Sequence, residues 1–226
     1  MKLRFSICTA LTILATPIIL AAGTNCEAPS PSSAPSTIDK EKFTQALKAI
    51  CPNAAKQNCT DDPKAPGQCR TASQAAEPIL RSFSKYNITE KTEMAALVSL
   101  MALESGEFKY QKNIYPGRPG QGTRNMQMPE WNTRYAASIP ELKDQLKGPA
   151  CNDKVKTLDL LLSKDDYDFG SAAWYLTTQC KPDVRKGLQE GTKVGWEKYI
   201  TSCIQTTVSE ERSKYWQSAI KEMKEL

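Results

Sequence analysis

The stretch from Thr89 to Glu104, "TEKTEMAALVSLMALE", constrains the fold more than any other part of the chain. Leu97, Leu100, Met101 and Glu104 recur at helical spacing, which predicts an amphipathic helix and continues its buried stripe onto a carboxylate. Thr89 is expected to cap this helix, with Glu90 and Glu93 in its first turn, where the helix dipole favours acids. Other segments repeat the period. "IDKEKFTQALKAI" puts Phe43, Leu47 and Ile50 on one face and ends at Pro52. Further helices are predicted in "EPILRSFSKY", after Pro129, Pro140, Asn152 and Asp168, after Thr192, and from Thr207, where Thr207 and Glu210 have capping-box spacing. Alternating strand patterns are nearly absent, so the expected class is mainly α, with room for a short hairpin in the loop after Glu104.

The N-terminal run "MKLRFSICTALTILATPIILAAG" has two basic residues, an apolar stretch and small residues in the order of a secretory signal. We read residues 1–23 as that signal, 24–37 as a Pro/Ser-rich flexible segment and 38–226 as one domain. The expectation is a secreted protein, with no membrane span once the signal is gone. Loss of Lys2 and Arg4 leaves 28 basic against 25 acidic residues, a net charge of +3 that gives no argument for nucleic acid. A monomer is expected.

Seven cysteines follow the signal: Cys26, Cys51, Cys59, Cys69, Cys151, Cys180 and Cys203. In an oxidising compartment they read as disulfides, with Cys26 the odd one out and the pairing of the other six open. The chain contains no histidine. That excludes Ser-His-Asp and Cys-His catalysis and any His-containing metal site, so neither metal nor cofactor is expected. Acid-base chemistry near neutral pH then falls to a carboxylate.

Glu104 is the candidate. A carboxylate at the end of an apolar helix is opposed in its charged form by desolvation and by the negative end of the helix dipole. Downstream, Gly117, Gly120 and Gly122 read as letting a loop approach a ligand closely. Arg118 and Arg124 are read as fixing the loop to a carboxylate, with contact to anionic ligand groups as the alternative. Asp165, Asp166 and Asp168 are the candidates for a second carboxylate, and one of them is expected to be an N-cap. The four tryptophans default to core packing, with Trp131 and Tyr115 the best placed to stack on a ligand.

"ALESGEF", then "NMQMP", then "GSAAWYL" resemble, in order, three motifs of the lysozyme-like lytic transglycosylases and goose-type lysozymes. The resemblance covers about Ala95 to Leu176. It implies a lysozyme-like helical domain cleaving β-1,4-linked amino-sugar polymers, peptidoglycan or chitin and chitosan, with Glu104 as general acid. It also implies Ser105 as support, Met126 and Gln127 on the cleft wall, and Trp174 or Tyr175 across from the acid. Arg124 stands where the family has glycine, and Trp174-Tyr175 where it has Tyr-Asn. A non-catalytic secreted carbohydrate-binding or effector protein that keeps the lysozyme-like fold is the alternative expectation. "NCT" at Asn58 and "NIT" at Asn87 match the N-glycosylation pattern.

Overall fold

The computed structural model describes residues 38–56, 59, 61–147 and 153–226. The signal, the Pro/Ser-rich segment, Cys26, Asn58 and Cys151 lie outside the described residues. Nine α-helices occur among them: α1 (Lys40–Ile50), α2 (Ala72–Lys85), α3 (Lys91–Glu104), α4 (Pro129–Ala137), α5 (Lys154–Leu162), α6 (Asp165–Gln179), α7 (Pro182–Gln189), α8 (Lys193–Lys198) and α9 (Glu210–Lys224). A 3-10 turn at Pro140–Leu142 and a π-helical turn at Tyr199–Cys203 complete the set.

Local chemistry explains most of the helix ends. Asp39, Asp153, Thr192 and Ser209 each accept a hydrogen bond from a first-turn amide, and Thr71 forms a full capping box with Gln74. Three expectations need correction. α3 begins after Glu90 with no side-chain cap, so Thr89 does not cap it. α9 begins at Ser209, whose hydroxyl reaches the Arg212 amide, and Thr207 stays outside. None of the three aspartates is an N-cap, because Lys164 holds that position and α6 carries all of them in its first turn.

α3 is apolar on every side and is the axis of the core: residues from Glu93 to Ala102 are buried throughout. It packs against α9, α7 and α6, while α2 lies on α6 and α1 bridges α2 and α9. Glu93 is fully buried inside this packing, and Arg185 of α7 neutralises it at 2.6 Å. Trp196 and Trp216 stack 4.8 Å apart between α8 and α9, so both serve the core as expected.

Among the described residues two disulfides are formed, Cys59–Cys69 and Cys180–Cys203. Cys51, expected in a bridge, is a buried thiol at the end of α1 with no disulfide partner among the described residues. Burial pushes its pKa well up, and the nearby Glu107 charge adds to that. Cys180–Cys203 closes a loop of 23 residues and ties the end of α6 to the π-helical turn. Replacing both cysteines by alanine is expected to cost about 3 kcal/mol in urea denaturation, mainly through the freed unfolded chain. No described helix is long and apolar enough to cross a membrane. That and the disulfides are compatible with an exported protein.

The Cys59–Cys69 loop is organised by Asp61, whose carboxylate accepts from the Gly67 and Cys69 amides at 2.8 and 3.0 Å. These bonds, the Gly67 amide first, hold its pKa below the ordinary value. A depressed pKa gives a contribution that is complete above the unfolded value of about 3.9 and is lost as pH falls through the folded one. Protection of the Gly67 and Cys69 amides against hydrogen exchange, corrected for intrinsic rates, should therefore drop below about pH 3.9 while core amides of α3 keep theirs. Equal loss in both places would show that the loop does not titrate separately.

Candidate functional site

Glu104 is the last residue of α3, and the chain then turns sharply through Gly106, Glu107 and Phe108, all at positive φ. Ser105 makes this turn possible. Its fully buried hydroxyl donates to the Met101 carbonyl at 2.6 Å and accepts from the Phe108 amide at 2.9 Å. It lies behind the groove and shapes the exit from the helix.

The loop that follows folds back on itself through bridges between Lys112 and Gly122 and between Gly122 and Gln127, a rudiment of the expected hairpin without regular strands. Glycine at 122 is dictated by space: a Cβ there would meet the Gln111 carbonyl at 2.3 Å and Leu158 at 3.0 Å. Arg124 anchors the loop from inside. Fully buried, it bonds Asp168 at 2.7 Å and the carbonyls of Phe108, Tyr110 and Gln68, with its guanidinium 4.8 Å over the Phe169 ring. Arg124 thus fixes the loop to a carboxylate, as its residue type suggested.

With the loop held, Met126 and Gln127 face Glu104 across a cavity of about 320 Å³. Gln121, Asn125, Met128, Trp131, Tyr175, Ile204, Thr206 and Arg212 complete its lining. A second cavity of about 480 Å³ runs on past Tyr110, Asn113 and the exposed Tyr115, and shares Glu104, Gln121 and Met126 with the first. Glu104 stands where the two meet. Tyr175 reaches the wall edge-on to Trp131, at 5.3 Å between rings, whereas Trp174 is turned into the core against Tyr135 at 5.0 Å. Gln127 is buried, and its amide donates to Asn132 at 2.7 Å.

Sequence reasoning missed the residue closest to Glu104. Arg212, in the first turn of α9, donates through Nη2 to Glu104 Oε1 at 2.5 Å. Its Nη1 is buried without a hydrogen-bond partner among the described residues. Behind the pair, Tyr199 is fully buried with its hydroxyl likewise unpartnered; burial first, then the neighbouring Tyr175 and Glu104, raise its pKa, so the phenol stays neutral. The aspartates named as a second carboxylate are engaged elsewhere: Asp165 with Arg70, Asp166 with Arg81 and Asp168 with Arg124. Among the described residues no group of three His, Cys, Asp or Glu side chains is placed to hold a metal ion.

Fold and site together define a helical, disulfide-braced chain with a groove across a carboxylate–guanidinium pair. No family model matches the chain. It is similar to a bifunctional dioxygenase (DOX)-epoxy alcohol synthase (EAS) of Fusarium oxysporum (strain Fo5176), with 46% identity over 151 residues, which is 65% of this chain and 12% of that protein. The chain thus spans only about an eighth of the relative it matches.

These findings overturn the lysozyme-like assignment and the glycosidase and transglycosylase function read from it. The relative bears a different enzymatic name and no family model supports the motif matches. The physical reason is that "ESGEF", "NMQMP" and "SAAWYL" encode a helix end, a tight turn and a small-residue helix. Such features build a groove and do not specify a reaction. What stands is a mainly helical fold with two disulfides among the described residues.

Proposed function

We propose that this chain is an enzyme domain acting on an oxygenated organic molecule held along the groove, with Glu104 as its acid-base group and Arg212 as the positioning partner. The observation that carries the reading is the Glu104–Arg212 pair at the junction of the two cavities. A carboxylate held by a guanidinium and flanked by amides and aromatic rings suits a ligand with polar oxygens on a carbon frame. The relative's named activity supports this class, since an epoxy alcohol carries a hydroxyl and an epoxide oxygen.

In the mechanism we infer, Arg212 orients Glu104 through Nη2 and so sets the carboxylate beside the ligand oxygen. The Glu104 carboxylate takes a proton from a water as that water attacks one epoxide carbon; the C–O bond to the epoxide oxygen breaks, and that oxygen receives the proton back from Glu104, while the reverse sequence closes the ring. Trp131, Tyr175 and Met126 cover the carbon frame.

The test uses the purified chain with a panel of epoxy alcohols and the corresponding alkenes. Binding is read by calorimetry and products by mass spectrometry. Epoxy alcohols are expected to bind and to gain the mass of one water, whereas the alkenes bind weakly and stay unchanged. Failure of the epoxy alcohols to bind or react would sink the reading.

A further inference from the structure

We propose that Asn87 carries an N-linked glycan, added as the chain passes through a eukaryotic secretory pathway. The motif Asn87-Ile88-Thr89 has the acceptor pattern, with no proline at its centre. The structure adds what the pattern alone does not contain. Asn87 and Thr89 are both exposed, while Ile88 between them is buried and its amide is bonded to the Phe83 carbonyl at 2.8 Å. The turn between α2 and α3 therefore holds the middle residue inward and presents the two recognised side chains to solvent.

Asn87 sits in the left-handed region at φ 51° and its side-chain amide joins no hydrogen bond with the described residues. Its carbonyl is pinned by Arg185 at 2.6 Å, so the tip is firm while the amide stays available. α3 has 14 residues, which places Asn87 about 20 Å from Glu104 at the opposite end of that helix. A glycan there leaves the groove open.

Three further observations point to the compartment where this modification occurs. The first 23 residues have the signal pattern, two disulfides are formed, and the similar protein comes from a fungus, which is a eukaryote. In the transfer itself, Asn87 Nδ2 bonds to the anomeric carbon of an oligosaccharide carried on a lipid pyrophosphate. The C–O bond to the pyrophosphate breaks, the lipid pyrophosphate leaves, and the amide gives up one proton.

The experiment expresses the full chain in a yeast that secretes proteins and maps the Asn87 peptide by mass spectrometry before and after peptide N-glycosidase. The expected result is a glycan on Asn87 whose enzymatic removal leaves aspartate, and its loss in Thr89→Ala, which keeps the asparagine and removes the acceptor pattern. Secreted protein with an unmodified Asn87 would overturn the proposal. If the native N-terminus does not direct export, residues 24–226 behind the host's own signal test Asn87 directly, and an unmodified Asn87 there would equally overturn it.

Discussion

Asp168→Ala is expected to destabilise the fold by about 3–5 kcal/mol, because it strands Arg124 as an unpaired charge in the core. Both side chains are fully buried. Burial raises the pKa of Asp168 and lowers that of Arg124, each opposing its own charge, and the two charges answer one another across 2.7 Å. Such a pair contributes little net stability over an apolar replacement, yet removing one partner leaves the desolvation of the other uncompensated. The double variant Arg124→Met with Asp168→Leu should therefore recover more than half of the loss in urea denaturation.

Recovery of stability should not restore the groove. Arg124 also holds the carbonyls of Phe108, Tyr110 and Gln68, and methionine can hold none of them. Ligand binding in the double variant is expected to stay weak while the urea midpoint rises. A cost below about 1 kcal/mol for Asp168→Ala would mean that the pair does not lock the loop, since unpaired buried charges are far more expensive.

Periodicity and punctuation made the helical class legible. α1 runs from Asp39 to its stop before Pro52, and α3 ends at Glu104, because both ends are set by residues adjacent in sequence. Met126, Gln127 and Tyr175 line one cavity with Glu104, but they were singled out through a resemblance that the comparison does not support, so the order of three short motifs is no warrant for their role. Long-range contacts were not legible. Arg212 is 108 residues from Glu104, and nothing in "SEERSKYW" singles it out from the neighbouring charges. Trp174 and Tyr175 are adjacent and differ only in which face of α6 they occupy relative to α4. Ser209 outcompetes Thr207 because only its hydroxyl stands three residues before the Arg212 amide. Cys51 reads like any other half-cystine until the fold encloses it. The reaction was misread for a different reason: the residues that shape a helix end and a tight turn are shared by grooves of unlike chemistry.

Glu104→Gln tests the chemistry of that groove. The side chains of Glu104 and Arg212 are only 22% and 15% exposed, so removing the charge while keeping a hydrogen-bond acceptor is expected to cost about 1–3 kcal/mol of stability. Glutamine keeps the size of glutamate and its carbonyl oxygen can still accept from Arg212 Nη2. The groove should therefore bind its ligand as before, while turnover of epoxy alcohols falls by about 10²- to 10⁴-fold with KM little changed, because only proton transfer has been removed. Arg212→Met should behave differently: it releases Glu104 from the contact that positions it and alters the cavity wall, so KM rises as kcat falls. Full turnover by Glu104→Gln would take the acid-base role from Glu104 and leave the pair as a binding element. A matching rise in KM for both variants would show that Glu104 acts only by holding Arg212 in place.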